Sequence, residues 1–170
     1  MLVLALDTAT PAVTCGIVEL GDAGPVERSV RVARDARKHA ELLMPGVLAA
    51  CADAGVALPE IGAVVVGAGP GPFTGLRVGM VTAAALGDAL GVPVHGAGTL
   101  DAIAVDARRD APEGPLVVAI DARRREVYWA AYDASGSRID GPHVDAPAAA
   151  AERVAELGAV AAAGGSAGLL

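Results

Sequence analysis

Three stretches of the chain carry residue types able to hold an anion or a metal. The first is GAGPGPFTGLR, residues 67–77, set between an apolar run and an Ala-rich segment as a glycine-rich loop joining a strand to a helix would be. A Walker-type phosphate loop closes on a lysine and a hydroxyl residue, which meet the phosphates and their metal. Residues 67–75 contain no lysine. A dinucleotide fingerprint fails as well, because its third glycine would fall on Pro72. Pro70 and Pro72 each remove a backbone N–H from any looser cradle. Gly69, Pro70, Gly71, Phe73, Thr74, Gly75 and Arg77 are therefore read as a stiff structural corner. Arg77 is out of place in it, since a cation in the first turn of a helix opposes the macrodipole by roughly 0.3–1 kcal/mol. An intramolecular ion pair or a partner contact is expected to compensate it.

The second stretch is Asp7 and Thr8, which end the apolar run 2–6 and are followed by Ala-Thr-Pro. The third is Asp121, which ends the run 116–120 and is followed, after Ala122, by Arg123, Arg124, Arg125 and Glu126. Arginines attract phosphate, but only small residues let a backbone close around one. Two cysteines, Cys15 and Cys51, are too few for a disulfide framework or a zinc site and are expected in the core. His39, His95 and His143 are scattered and make no ligand cluster, so no metal is expected.

A chain of 170 residues, 54% hydrophobic, has ample core material. Its 13 basic and 20 acidic residues give a net charge of -7, which opposes nucleic acid and anionic membranes. No strong direct nucleic-acid binding is expected. The N-terminus lacks a basic signal-peptide region, and no apolar run approaches the roughly 20 residues of a membrane span, so a cytoplasmic protein is expected.

The elements that must position these residues follow from periodicity. Runs 2–6, 13–20 and 26–33 read as three antiparallel strands. Helical spacing begins at 37 and lasts to about 54, with Leu43, Val47, Ala50 and Ala54 on one stripe, and Pro45 and Gly46 are expected to bend or weaken it. Strand 61–66, helix 74–90, strand 94–97 and a helix from 99 to about 108, with Thr99 as N-cap, come next. After a Pro/Gly-bearing boundary at 109–115, strands 116–120 and 126–132 echo the opening pair, and helix 146–157 and strand 158–163 complete the chain. This order predicts an α/β chain with a ribonuclease-H-like, actin-like ATPase (ASKHA) fold in two tandem lobes, 1–108 and 109–170, the second incomplete. In that class two hairpins of small residues, each following an Asp, grip the nucleotide phosphates. Asp7 and Thr8 suit the first, Asp121 is followed by the wrong residues for the second, and a degenerate nucleotide site is expected.

LALDTAT, the block GAGPGPFTGLRVGMVTAAALGDALGVPVHGAGTLDAIA at 67–104 and IDARRREVYWAAYD at 120–133 closely resemble the bacterial TsaB family, also called YeaZ. The resemblance implies a non-catalytic dimerisation subunit, paralogous to TsaD, the subunit that completes threonylcarbamoyladenosine on the adenosine beside the tRNA anticodon. It implies TsaD and the ATPase TsaE as partners, a homodimer in isolation, no cofactor for this chain alone, and ATP or ADP only in the assembled complex. The family usually extends several dozen residues further than this chain. The catalytic paralogue carries a metal-binding H-x-x-x-H pair; here His39 is followed four residues later by Leu43. Family pairing uses the helices matching 37–54 and 74–90, which places His39, Leu43, Gly46, Val47, Ala50, Gly79, Ala83, Ala84 and Gly87 as interface candidates, with packing on the chain's own sheet as the alternative. The rival reading is an ATP-dependent kinase or hydrolase of the actin-like class organised by Asp7. A third is tRNA contact through Arg123–Arg125, against which stands a solvated turn.

Overall fold

The computed structural model describes residues 1–35 and 38–170, which form two compact units. The first comprises residues 1–68 and 73–97, the second 69–72 and 98–170.

In the first unit, strands β1 (Leu2–Asp7), β2 (Ala12–Gly21) and β3 (Gly24–Arg34) form an antiparallel meander, and β4 (Ile61–Gly67) and β5 (Val94–Ala97) extend it in parallel to give the order β3-β2-β1-β4-β5. Alternation within β1 sends Leu4 and Leu6 to one face. Their cross-strand partners Ile17 and Cys15 lie on the same face, as do Val64 and Val66. Helices α1 (His39–Ala54) and α2 (Phe73–Leu90) close over that face with Leu43, Val47, Ala50, Cys51, Ala83 and Leu86. Each fully buried Leu, Val or Ile stabilises by about 1.5–3 kcal/mol, so this layer holds the unit together. Two polar ties fix α1 laterally: Ser29 Oγ donates to Ala50 O at 2.7 Å, and the Arg31 guanidinium chelates the Asp53 carboxylate. α1 runs on through Pro45 rather than breaking there. Gly55, at φ +68°, ends it in a left-handed turn, donating to Ala52 O while Val56 N–H reaches Cys51 O. The expected start at residue 37 lies outside the described residues.

The second unit holds α3 (Thr99–Ala107), β6 (Leu116–Arg123), β7 (Glu126–Tyr132), β8 (Arg138–Asp145), α4 (Pro147–Glu156) and β9 (Ala161–Ala163). Its sheet order, β8-β7-β6-β9, with two antiparallel pairs and then a parallel one, repeats β3-β2-β1-β4 place for place. One face packs Leu116, Val118, Ile120, Ala130 and Tyr132 on Leu100 and Ala104 of α3; the other packs Val117, Ala119, Val127, Trp129 and Ala131 on Ala150 and Val154 of α4. A sheet covered on both sides needs continuously apolar strands, which is what β6 and β7 are. The sequence alone hid β8, because Gly141 and Pro142 break its pattern; as an edge strand it tolerates the proline.

The unit boundary is a correction to the expected division at 108/109. α3 belongs to the second unit, since Leu100 and Ala104 join the β6–β7 core and Arg108 donates to Gly114 O and Asp133 O, each at 2.9 Å. The fold is α/β, of the ribonuclease-H-like, actin-like class.

Candidate functional site

The hairpin after β1 is built into helix α2. Thr8 is 1% exposed; its hydroxyl donates to Gly75 O at 2.7 Å and accepts the Gly79 N–H at 2.9 Å. Gly75 O and Gly79 N–H are the i and i+4 partners that an uninterrupted helix would pair with each other. The Thr8 hydroxyl thus sits inside the hydrogen-bond ladder of α2. A Cβ on Gly79 would stand 2.5 Å from Thr8 Oγ1, and one on Gly75 2.5 Å from Thr8 O. Both glycines are there because the hairpin is. Asp7 Oδ1 accepts the Ala9 N–H at 2.6 Å, and its carboxylate lies in the space a side chain at Gly67 would take. His39 Nε2 donates to Thr10 O at 2.8 Å, tying the start of α1 to the same hairpin. The Thr8 hydroxyl, the Asp7 carboxylate and the Ala9 N–H are thus engaged within the chain itself.

The hairpin after β6 differs in kind. Asp121 Oδ1 accepts the Arg123 N–H at 2.9 Å and the Arg123 guanidinium stands 3.5 Å from Oδ2. Arg123 pairs with Glu126 across the strands, leaving Arg124 and Arg125 as the connection, and all three arginines have positive φ, 66°, 53° and 66°. Left-handed backbone costs an L-residue with a Cβ roughly 1–2 kcal/mol. Ala122 is the one small residue between Asp121 and Glu126, and the three arginines occupy the turn itself, where a phosphate would need bare backbone.

The loop at 69–72 ties to the start of α3. Gly69 N–H donates to Thr99 Oγ1 at 3.2 Å, and Thr99 N–H donates to Gly69 O at 2.8 Å. This corrects the N-cap expectation: Gly98 is the N-cap of α3, and the Thr99 hydroxyl serves the loop.

The interface candidates divide. Leu43, Val47, Ala50 and Ala83 are fully buried in the core of their own unit. A Cβ on Gly46 would lie 2.9 Å from Cys15 Sγ, and one on Gly87 would overlap Val94. With Gly79 filled by Thr8, seven of the nine residues face inward, and their expected place at a subunit interface is corrected to packing on their own sheet. Ala84 is exposed and His39 half-buried. The outward face of α2 carries Phe73 (71% exposed), Met80 (45%) and Val81 (63%), and α1 adds Leu48 (54%). Between the helices a groove of about 490 Å³ is lined by Ala40, Phe73, Thr74, Arg77, Val78, Val81 and Thr82. Phe73, Arg77, Val81 and Ala84 follow one another at helical spacing, a signal the sequence contained. It was masked because α2 is apolar nearly all round. Arg77 lies over the Phe73 ring, 5.2 Å from its centre.

Burial pushes the Cys15 thiol above its ordinary range, the neighbouring Cys51 adding to the effect, so Cys15 is a core thiol rather than a nucleophile. Among the described residues, no three His, Cys, Asp or Glu side chains gather where they could hold a metal, and no helix is long and apolar enough to cross a membrane.

Known proteins match this chain along most of its length. The family model described as TsaD, tRNA N6-adenosine threonylcarbamoyltransferase, covers residues 32–167. An uncharacterized protein of Mycobacterium tuberculosis is 57% identical over 146 residues, 86% of this chain and 65% of that protein. The tRNA threonylcarbamoyladenosine biosynthesis protein TsaB of Escherichia coli is 37% identical over 132 residues, 78% of this chain and 55% of its own length. The structure of YeaZ from Pseudomonas aeruginosa matches with a TM-score of 0.72 at 33% identity, covering 86% of this chain and 67% of that one. The chain spans less than two thirds of the mycobacterial and E. coli relatives. With these identities and the shared fold, the chain belongs to the TsaB (YeaZ) family.

Proposed function

We propose that this chain is a non-catalytic partner subunit that pairs with a TsaD homologue for threonylcarbamoylation of the adenosine next to the tRNA anticodon. Family membership supports the pathway, since the E. coli relative is a threonylcarbamoyladenosine biosynthesis protein. The observation that carries the pairing is the outward face of α2, where Phe73, Met80 and Val81 stand exposed, with Phe73 and Val81 lining a groove that Ala40 of α1 also borders. Contiguous apolar surface on a folded chain marks a place where another surface docks. In this reading a TsaE homologue joins the assembly in the cytoplasm, ATP or ADP is bound only there, and the same face self-pairs when TsaD is missing.

The rival, a kinase or hydrolase organised by Asp7, needs a hairpin free to grip phosphate. Thr8 spends its one proton and accepts one bond within α2, and the second hairpin offers arginines in place of small residues. The test is complementation of a strain depleted of its own TsaB, with the modified nucleoside measured by mass spectrometry. Restored modification supports the role; restoration by a vector lacking the gene, or none by this chain, contradicts it. Tight ATP binding by the isolated protein in a calorimeter would favour the rival.

A further inference from the structure

We propose that Arg77 is the ionic anchor of the pairing face, receiving a carboxylate from an apolar helix of the partner subunit seated in the groove beside α2. The inference rests on the pairing reading above and adds the chemistry of what is recognised.

Arg77 is the fifth residue of α2, near the positive end of the helix dipole, and the first turn holds no acidic residue to offset it. Among the described residues it makes no hydrogen bond and no ion pair; its one contact of note is the Phe73 ring beneath it. Several arginines elsewhere are engaged: Arg28 with Glu19, Arg31 with Asp53, Arg138 with Asp101, Arg153 with Asp140, and Arg108 with backbone carbonyls. Arg34, Arg124 and Arg125 likewise show no hydrogen bond or ion pair among the described residues, but none of them lines the groove beside α2.

Phe73 is 71% exposed, an unusual setting for the chain's one phenylalanine, and the cation over its face rotates little and keeps its hydrogen-bonding fork free. The remaining groove lining, Ala40, Thr74, Val78, Val81 and Thr82, is uncharged. Charge complementarity therefore selects the occupant: apolar along its length, with a single carboxylate at the level of Arg77. Burial of the surrounding apolar surface removes water from the pair, which strengthens it and penalises a partner without the acid. The helix-dipole disadvantage of Arg77 in the free chain then becomes a cost tolerated for recognition.

The test uses the full chain and the TsaD homologue of the same organism, with affinity measured by calorimetry at low and high salt. Arg77→Ala is expected to weaken pairing at least tenfold, Arg77→Glu more, and Arg77→Lys less than Arg77→Ala. None of the three should unfold below wild type by more than a degree or so, roughly the loss of an exposed ring contact, and Arg77→Glu, which reverses the charge the helix dipole opposes, should unfold slightly above it. Phe73→Leu, which keeps apolar contact but loses the stack, should couple to Arg77→Ala in a double-mutant cycle. Reversing the charge of one carboxylate on the partner's docking helix should restore pairing to Arg77→Glu. Wild-type pairing that Arg77→Glu leaves intact overturns the anchor alone, and so does an effect confined to self-association of the isolated chain. Failure of the wild type to pair at all overturns the reading beneath it and the anchor with it.

Discussion

Replacing Thr8 by valine deletes one hydroxyl at nearly constant volume, and that hydroxyl joins Gly75 O to Gly79 N–H inside α2. Both backbone groups lose their partner in a site where Thr8 is 1% exposed. A buried polar group left unsatisfied costs about 1–3 kcal/mol. Partial closing of the ladder onto itself recovers some of this, so the expected loss is about 2–4 kcal/mol. Thr8→Ser keeps the bridge and should cost only the methyl group, about 1 kcal/mol. Urea unfolding of wild type, Thr8→Val and Thr8→Ser, followed by far-ultraviolet circular dichroism, reads the difference, and amide exchange at Gly79 locates it. A Thr8→Val protein as stable as wild type, with Gly79 exchange unchanged, would refute the placement of the hydroxyl in the ladder. Loss of ATP affinity without loss of stability would point instead to a phosphate-binding hairpin.

Two further substitutions read other parts of the fold. Arg125→Gly should raise stability by about 0.5–1 kcal/mol, because relief of a left-handed residue, roughly 1–2 kcal/mol, exceeds the entropic cost of glycine; an unfolding midpoint below wild type would contradict the strain. Asp140 is held below the ordinary carboxylate range, first by its hydrogen bond with His143 and then by Arg153, 2.6 and 3.1 Å away. Its folded value is the lower one, so its contribution is present above the unfolded value near pH 3.9 and is lost as pH falls through the folded value. The stability gap between wild type and Asp140→Asn should therefore close as pH is lowered from about 5 towards 2, and a gap independent of pH would exclude the contribution.

Much of the fold is legible in the residues. The alternation of β1 and β2, the apolar run of β4, and the echo of β1–β2 in β6–β7 all carry the ribonuclease-H-like order. What stayed hidden required partners distant in sequence. Gly75 reads as part of a stiff corner and Gly79 as an interface glycine until Thr8, some seventy positions earlier, is placed between them. Leu43, Val47 and Ala83 carry the right pattern for either a subunit interface or a core, and only the sheet beneath them decides. α3 follows β5 without a break in composition, yet its Leu100 and Ala104 belong to the next sheet. In α2 the exposed stripe was lost among apolar residues on every face, and Phe73, read as part of a corner, turned out to lead it.

The central claim is that the exposed face of α2 is where this chain meets TsaD. Sedimentation velocity of the full chain mixed with its TsaD homologue at micromolar concentration tests it most directly, with Val81→Asp as the comparison because Val81 is 63% exposed and supports no core contact of its own unit. The account predicts a complex with wild type, none with Val81→Asp, and unchanged unfolding of the variant alone. No wild-type complex, or a Val81→Asp complex as tight as wild type, would contradict it.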